Sequence, residues 1–377
     1  MNHGRGVAVT GTDRRANATQ HLPCGGWRRW AALVVVVFVA AACAGGGATA
    51  GADDGATPAA GSEGSGREII RFAFSPDPIW DYLRDTGELA EWEEEHNLRI
   101  HTSESWDEFT YFAAGHGDIV SLGTYELPLL EQETGVKVVA FGQYNHLRGQ
   151  FMRKAGDPYE TIADVPTDST VCVLGPTEIT ADAAIADQLY DIDFRVGGGD
   201  FENVVPQDLF VMPELVARGE CTVAWTGVDA AVSLLRAGDI EMMNGGRSTW
   251  QLYQDVCKCD HKGIMSNLFV ATQEWYDAHP DQAAAFLELW ERGLWLWEEN
   301  KDEIVRLYPQ HFAVETEEDT EWIIDYVEGP SDWFADTVYM DEAWIAEEMK
   351  IYDYMIDAGL MDAGTEIPRF EAMAPPS

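Results

Sequence analysis

The hydrophobic positions of the chain alternate between short β-branched runs and longer stripes at helical spacing, and one unit of this alternation occurs twice. The first copy is Gly117-Asp118-Ile119-Val120-Ser121-Leu122-Gly123-Thr124, leading into Tyr125-Glu126 and the apolar stretch 127–130. The second is Gly219-Glu220-Cys221-Thr222-Val223-Ala224-Trp225-Thr226-Gly227, leading into Val228-Asp229 and the apolar stretch 230–235. In each copy a Gly closes a helix, because it enters the left-handed conformation without a Cβ penalty. The apolar run predicts a buried parallel strand, and a Gly/Thr turn opens the next helix. In open α/β sheets ligands lie at the carboxyl ends of strands, where helix N-termini leave backbone N–H groups free. Two such turns predict two lobes that face each other across a cleft.

The same periodicities predict further strands over 68–74, 98–102, 136–141, 170–174, 203–206, 240–244 and 264–271. Helices are predicted over 79–83, 88–96, 106–114 with Ser105 as cap, 181–189 and 209–218. Three long amphipathic helices follow, over 280–306, 317–326 and 342–358, the last closed by Gly359.

The head of the chain has a different pattern. Arg14, Arg15, Arg28 and Arg29 precede an apolar run of 12 residues, 31–42. That run is shorter than the roughly 20 residues a bilayer-spanning helix needs, and it fits the apolar core of a signal segment. It ends in Ala40-Ala41-Ala42-Cys43, which resembles a bacterial lipobox, with Ala40 where a Leu is usual. The resemblance implies that Cys43 is lipid-modified and becomes the first mature residue; a plain cleaved signal is the alternative. Residues 43–66 hold Gly, Ala, Ser, Thr and Asp without a large apolar side chain, the composition of a flexible tether. The expected location is therefore extracytoplasmic, anchored to the outer face of the cell membrane.

Composition narrows the function. The net charge is -42, which argues against nucleic acid or an anionic membrane surface as partner. Either the acids form a pocket for a cation, or they make a solvated surface suited to high salt. Beyond Cys43 the chain carries Cys172, Cys221, Cys257 and Cys259, an even number that allows three pairings. Cys172 and Cys221 fall in two strands of one lobe. Cys257-Lys258-Cys259-Asp260-His261 has no second ligand pair in view, so disulfides or buried thiols are expected and no metal. No Ser-His-Asp order, P-loop or HExxH is present, so neither catalytic residues nor a cofactor is expected.

In their order the segments resemble the extracytoplasmic solute-binding proteins of ABC importers, in the branch that takes nitrate, sulfonates, taurine and thiamine precursors. The resemblance rests on 114–124, 136–141, 161–165 with 170–180, 217–227, 267–272, His279-Pro280-Asp281-Gln282-Ala283 and Tyr354-Met355-Ile356-Asp357-Ala358-Gly359-Leu360, and covers 68–362. It implies a two-lobed α/β fold of the type II periplasmic-binding-protein kind. Each lobe would be a mostly parallel sheet flanked by helices, with the ligand cleft between them. Lobe one would comprise 67–148 and 262–377, and lobe two 149–261. The implied protein is a monomer that closes on a small solute and delivers it to a membrane permease. A ligand sensor is a second reading. An enzyme like the thiamine-pyrimidine synthase or the chorismate-derived dehydratases is a third, although the Cys-rich motif of the former is absent.

Candidate ligand contacts sit at the strand ends: Ser75 and Trp80 after the first strand, Trp106 after the second, and Gly123, Thr124, Tyr125 and Glu126 in the first repeated turn. In lobe two they are Thr177, Glu178 and Thr180, then Trp225, Thr226 and Asp229. Glu126, Glu178 and Asp229 bring three acids to the expected cleft. A desolvated carboxylate is costly unless paired, so a cationic or zwitterionic solute is favoured. The Trp residues add faces that stack a flat ring or hold a cation. An oxyanion such as a sulfonate, taurine or nitrate is the alternative.

Overall fold

A computed structural model describes residues 66–375 except 330 and 332. The expected signal segment, the lipidation site Cys43 and the tether up to residue 65 lie outside the described residues. Among the described residues, no helix is long and apolar enough to cross a membrane.

The chain is a mixed α/β structure built on two sheets. Its strands are β1 (Glu68–Phe74), β2 (Leu98–Glu104), β3 (Ile119–Leu122), β4 (Val138–His146), β5 (Gln150–Lys154), β6 (Thr170–Val173), β7 (Asn203–Pro206), β8 (Val223–Thr226), β9 (Ile240–Met242), β10 (Met265–Thr272) and β11 (Arg369–Phe370). One sheet has the order β11-β4-β10-β3-β1-β2, the other β7-β6-β8-β5-β9. β1, β2 and β3 run parallel, as do β6, β7 and β8. The exceptions are β10 and β5, each antiparallel to its neighbours. They are the first strands after the chain crosses from one sheet to the other. The two crossings touch, since Leu147 N–H donates to Ile264 C=O at 2.8 Å. The two sheets are therefore joined by a pair of hydrogen-bonded crossings rather than by a single linker.

The sheets bury their apolar faces under helices. Helix Pro280–Leu307 lays Phe286 and Trp290 on the first sheet, where they meet Phe72, Phe269 and Tyr144, while its Trp297 packs on Phe312 and Phe334. Trp80 belongs to this cluster. It is buried and stacks on Trp290 at 5.9 Å, because the helix it starts, Pro78–Thr86, packs against Pro280–Leu307.

Several elements differ from expectation. The helix expected from Trp106 begins at Glu108. Asp107 accepts the Thr110 N–H at 3.4 Å, while the Ser105 hydroxyl only holds the Asp107 N–H at 3.0 Å. Trp106 is thereby left outside the helix. The left-handed glycine after that helix is Gly115, not Gly117. The segment 342–358 is two helices, Glu342–Glu348 and Lys350–Asp357, with a tightened turn where Tyr352 N–H reaches Met349 C=O. Helix Thr249–Cys257 was not anticipated, although Ser248 and Gln251 spell its capping box.

The four cysteines form Cys172–Cys221 and Cys257–Cys259. The first joins β6 to the segment before β8 across a separation of 49 residues, the second across two. Closing the longer loop restricts the unfolded chain by about 4 kcal/mol, while the short loop restricts it far less. Cys172→Ala with Cys221→Ala should lower the unfolding free energy by an amount of that order. Cys257→Ala with Cys259→Ala should leave it nearly unchanged, a contrast read from parallel urea unfolding curves.

Candidate functional site

A cavity of about 730 Å³ lies between the two sheets. Its wall is made at the carboxyl ends of the parallel strands. From the first sheet come Ser75 and Asp77 after β1, Trp106 to Phe109 after β2, and Tyr125 and Glu126 after β3. From the second come Glu178 after β6, Asp208 to Phe210 after β7, and Trp225, Gly227 and Asp229 at the end of β8 and beyond. The end of β4 supplies Asn145, the crossing supplies Arg148 and Gly149, and the C-terminal part supplies His311, Trp333 and Phe334.

The turns after β3 and β8 use their glycines alike. At Gly123 a Cβ would stand 2.8 Å from the Tyr125 ring, and at Gly227 a Cβ would stand 2.1 Å from the Asp229 carboxyl. Both have ordinary negative φ, so it is close approach and not a left-handed backbone that requires Gly. In the first turn the Gly123 N–H donates to Glu126 Oε2 at 2.7 Å, which fixes that carboxyl at the cavity wall.

Of the sequence-predicted residues, Ser75, Trp106, Tyr125, Glu126, Glu178, Trp225 and Asp229 line the cavity. The others lie elsewhere. Thr124 is buried, its hydroxyl donating to the Glu348 carboxylate and its C=O accepting from Tyr352 Oη at 2.8 Å. Thr177 and Thr180 face a separate pocket of about 230 Å³ beside Pro128, Gln132 and Met355. Thr226 is buried and donates to Leu209 C=O at 3.3 Å. Gly123 acts through Glu126, and Trp80 stands in the core.

Sequence reasoning missed Asp77, Glu108, Arg148, Asp208, Phe210, His311 and Trp333. Asp77 had a signal, a capping Asp before a Pro at the first helical position. Its carboxylate accepts from Ile79 N–H at 2.8 Å and Trp80 N–H at 3.3 Å. Arg148 comes from the crossing and meets groups far along the chain. Its Nη2 donates to Asp229 Oδ2 at 3.0 Å, its Nη1 donates to Asn145 Oδ1, and its guanidinium lies 4.4 Å over the Trp333 ring.

Among the described residues, seven carboxyls line the cavity: Asp77, Asp107, Glu108, Glu126, Glu178, Asp208 and Asp229. Facing them are one guanidinium, Arg148, and one imidazole, His311, whose Nε2 is 2.8 Å from Asp81. Burial and mutual repulsion make ionisation of the crowded acids unfavourable. Burial pushes Glu126 up to about 8, against the Gly123 N–H bond, with Glu108 and Glu178 adding to the rise. Glu108 is pushed up to about 7 by burial, with Asp107 and Glu178 adding. Asp77 is raised by burial to about 6, opposed by His311 and its own backbone bonds.

Trp225 is held by a chain of hydrogen bonds behind the wall. Its Nε1–H donates to Thr249 Oγ1 at 3.2 Å, and Thr249 in turn donates to Gly149 C=O at 3.0 Å. The Asp182 carboxyl also meets that hydroxyl, and burial raises Asp182 to about 7. A protonated Asp182 completes the chain: it donates to Thr249, whose one proton goes to Gly149. Gly149 has no side chain because a Cβ there would meet the Trp225 ring at 2.1 Å. At the mouth, Trp106 is 62% exposed and Phe210 is 44% exposed, and their rings meet edge to face at 5.8 Å. Trp106 follows β2 of one sheet and Phe210 follows β7 of the other, so this pair bridges the two sides of the cavity.

No family model matches the sequence, and no curated protein matches it. Solved structures do match. The periplasmic aliphatic sulphonate binding protein of Escherichia coli is 13% identical with a TM-score of 0.59, over 80% of this chain and 96% of that one. The alkanesulfonate-binding protein of Xanthomonas axonopodis pv. citri, bound to MOPS, is 12% identical with a TM-score of 0.59, over 79% of this chain and 95% of that one. The periplasmic nitrate-binding protein of Synechocystis is 15% identical with a TM-score of 0.57, over 80% of this chain and 84% of that one. The chain thus has the periplasmic-binding-protein fold that its resemblance implied.

The raised carboxyls set a pH dependence. A carboxyl whose folded pKa lies above its unfolded value supports the fold fully in acid, and that support is lost as pH rises to the folded pKa. For Glu126 the window runs from its ordinary 4.5 to about 8. In the ligand-free protein, Tm should fall more steeply across this window in wild type than in Glu126→Gln. The difference between the two should become constant above about pH 8, as read from melting curves in a pH series.

Proposed function

We propose that the chain is the solute-binding component of an ABC importer, anchored outside the cell membrane through Cys43, and that its solute carries positive charge. The solute is a cation, a zwitterion or a cationic flat ring. The observation that carries this reading is the charge of the cavity wall, seven carboxyls against Arg148 and His311 among the described residues. The fold shared with sulfonate- and nitrate-binding proteins supports the transport role.

A positive solute entering the cavity offsets the burial and repulsion that disfavour charge on Glu108 and Glu126 and lets these two ionise. Trp106, Phe109, Tyr125 and Phe210 offer ring faces or edges beside them, which favours a diffuse cationic head over a small, strongly hydrated one. Contacts from both sheets make the closed arrangement bind better than the open one, so the solute shifts the balance toward closure. The closed form is then the one that docks on the permease. A second reading, an oxyanion, is favoured by one observation, the Arg148 guanidinium in the wall.

The test is a thermal-shift screen of the purified protein, in low and high salt, with choline, polyamines, glycine betaine, thiamine, taurine, ethanesulfonate and nitrate. A solute at 100 times its dissociation constant stabilises by about 2.7 kcal/mol. Solutes that carry a positive group should give the shifts. Their affinity should rise with pH up to about 8, because binding releases protons from the raised carboxyls. Shifts from nitrate and ethanesulfonate alone would contradict the positive-solute reading and favour the oxyanion one.

A further inference from the structure

Resting on the reading of this cavity as a solute site, we propose that the solute is a zwitterion, its oxyanion group docked on Arg148 and its cationic head against the wall formed by Glu108, Glu126 and Glu178. A guanidinium has five N–H donors in a fixed plane and cannot shed its charge. Here Nη2 donates to Asp229 and Nη1 donates to Asn145. The Nε–H is buried and has no partner among the described residues. Trp333 lies against the face of the group and fixes its plane. The guanidinium is therefore oriented by its neighbours while part of its donor capacity is unspent. Nη1 and Nη2 each keep a second N–H beyond these two bonds and the side chain is 23% exposed, and a carboxylate or sulfonate is the acceptor a guanidinium fork fits best.

The opposite charge is separated from Arg148 within the same cavity. Glu108, Glu126 and Glu178 follow β2, β3 and β6, whereas Arg148 stands at the crossing, bonded to Asp229. The cavity thus has an acidic wall after β2, β3 and β6, and a basic point at the crossing. A pure cation satisfies the wall and leaves the fork of Arg148 unmatched. A pure anion satisfies Arg148 and meets the uncompensated wall. A solute with both charges satisfies both ends, and this double requirement rejects each half-molecule.

Calorimetric titration of the purified protein tests this with glycine betaine and taurine as zwitterions, choline as the cation, and acetate and ethanesulfonate as anions. At least one zwitterion should bind about tenfold tighter than choline and than either anion. Glycine betaine against taurine reports whether the oxyanion is a carboxylate or a sulfonate. Arg148→Gln should bring the zwitterion down to the level of choline and leave choline within about twofold. Asp229→Asn keeps the guanidinium and removes its competing carboxylate, so zwitterion binding should hold or tighten; unchanged melting curves show that each variant folds. If choline binds as tightly as the zwitterions and Arg148→Gln weakens both alike, the zwitterion assignment falls while the positive-solute reading stands. If only acetate or ethanesulfonate binds, both fall. Failure of both zwitterions to bind at millimolar concentration overturns the assignment.

Discussion

Carboxyl groups taken out of water and set side by side cannot all ionise unless a positive charge joins them. In this protein that constraint acts at one place, the cavity between the sheets. Its wall comes from strand ends of both sheets, so assembling the fold is what brings Glu126, Glu108 and Glu178 together. One permanent cation, Arg148, stands in the wall, and part of its charge is already committed to Asp229. The ligand-free cavity answers the constraint by holding protons, with Glu126 and Glu108 raised toward and above neutrality. A positively charged solute answers it better, and this difference is the physical content of the proposed binding.

The scaffold keeps these groups in place with a second buried carboxylate that is fully satisfied. Glu348 Oε1 accepts from the Thr124 hydroxyl and from Met265 N–H at 2.9 Å, and Oε2 meets His261 Nε2 at 2.8 Å. One side chain thus ties a C-terminal helix to the turn after β3 and to the return crossing. Removing any partner would leave a buried group unmatched, which is the costly case. Glu348 and the cavity carboxyls show the same chemistry in two conditions. The first is completed within the fold, while the second forms the proposed solute site.

Much of this was legible in the sequence. The doubled strand-Gly-turn unit located β3 and β8, because buried parallel strands and close-approach glycines leave a local pattern. The cavity residues Tyr125, Glu126, Trp225 and Asp229 followed from it. What stayed hidden depends on groups distant in sequence. Arg148 lies in a crossing with no periodicity, and its partners Asp229 and Trp333 come from far downstream. Trp80 stands at a strand-to-helix junction like Trp106, but a long helix some two hundred residues later buries it. Thr124 and Thr226 face the core because Glu348 and the backbone before the helix Met212–Arg218 reach them first. Strand ends name the neighbourhood of the site, while packing from other segments decides which side chains open onto it.

The most direct test of the cavity's polarity needs no knowledge of the natural solute. Crystals of the protein soaked in rubidium bromide and measured at both absorption edges would locate each ion by anomalous scattering. Rubidium should appear beside Glu108, Glu126 and Glu178, and bromide at Arg148. Bromide against the three glutamates, or a cavity that holds bromide and no rubidium, would contradict this polarity.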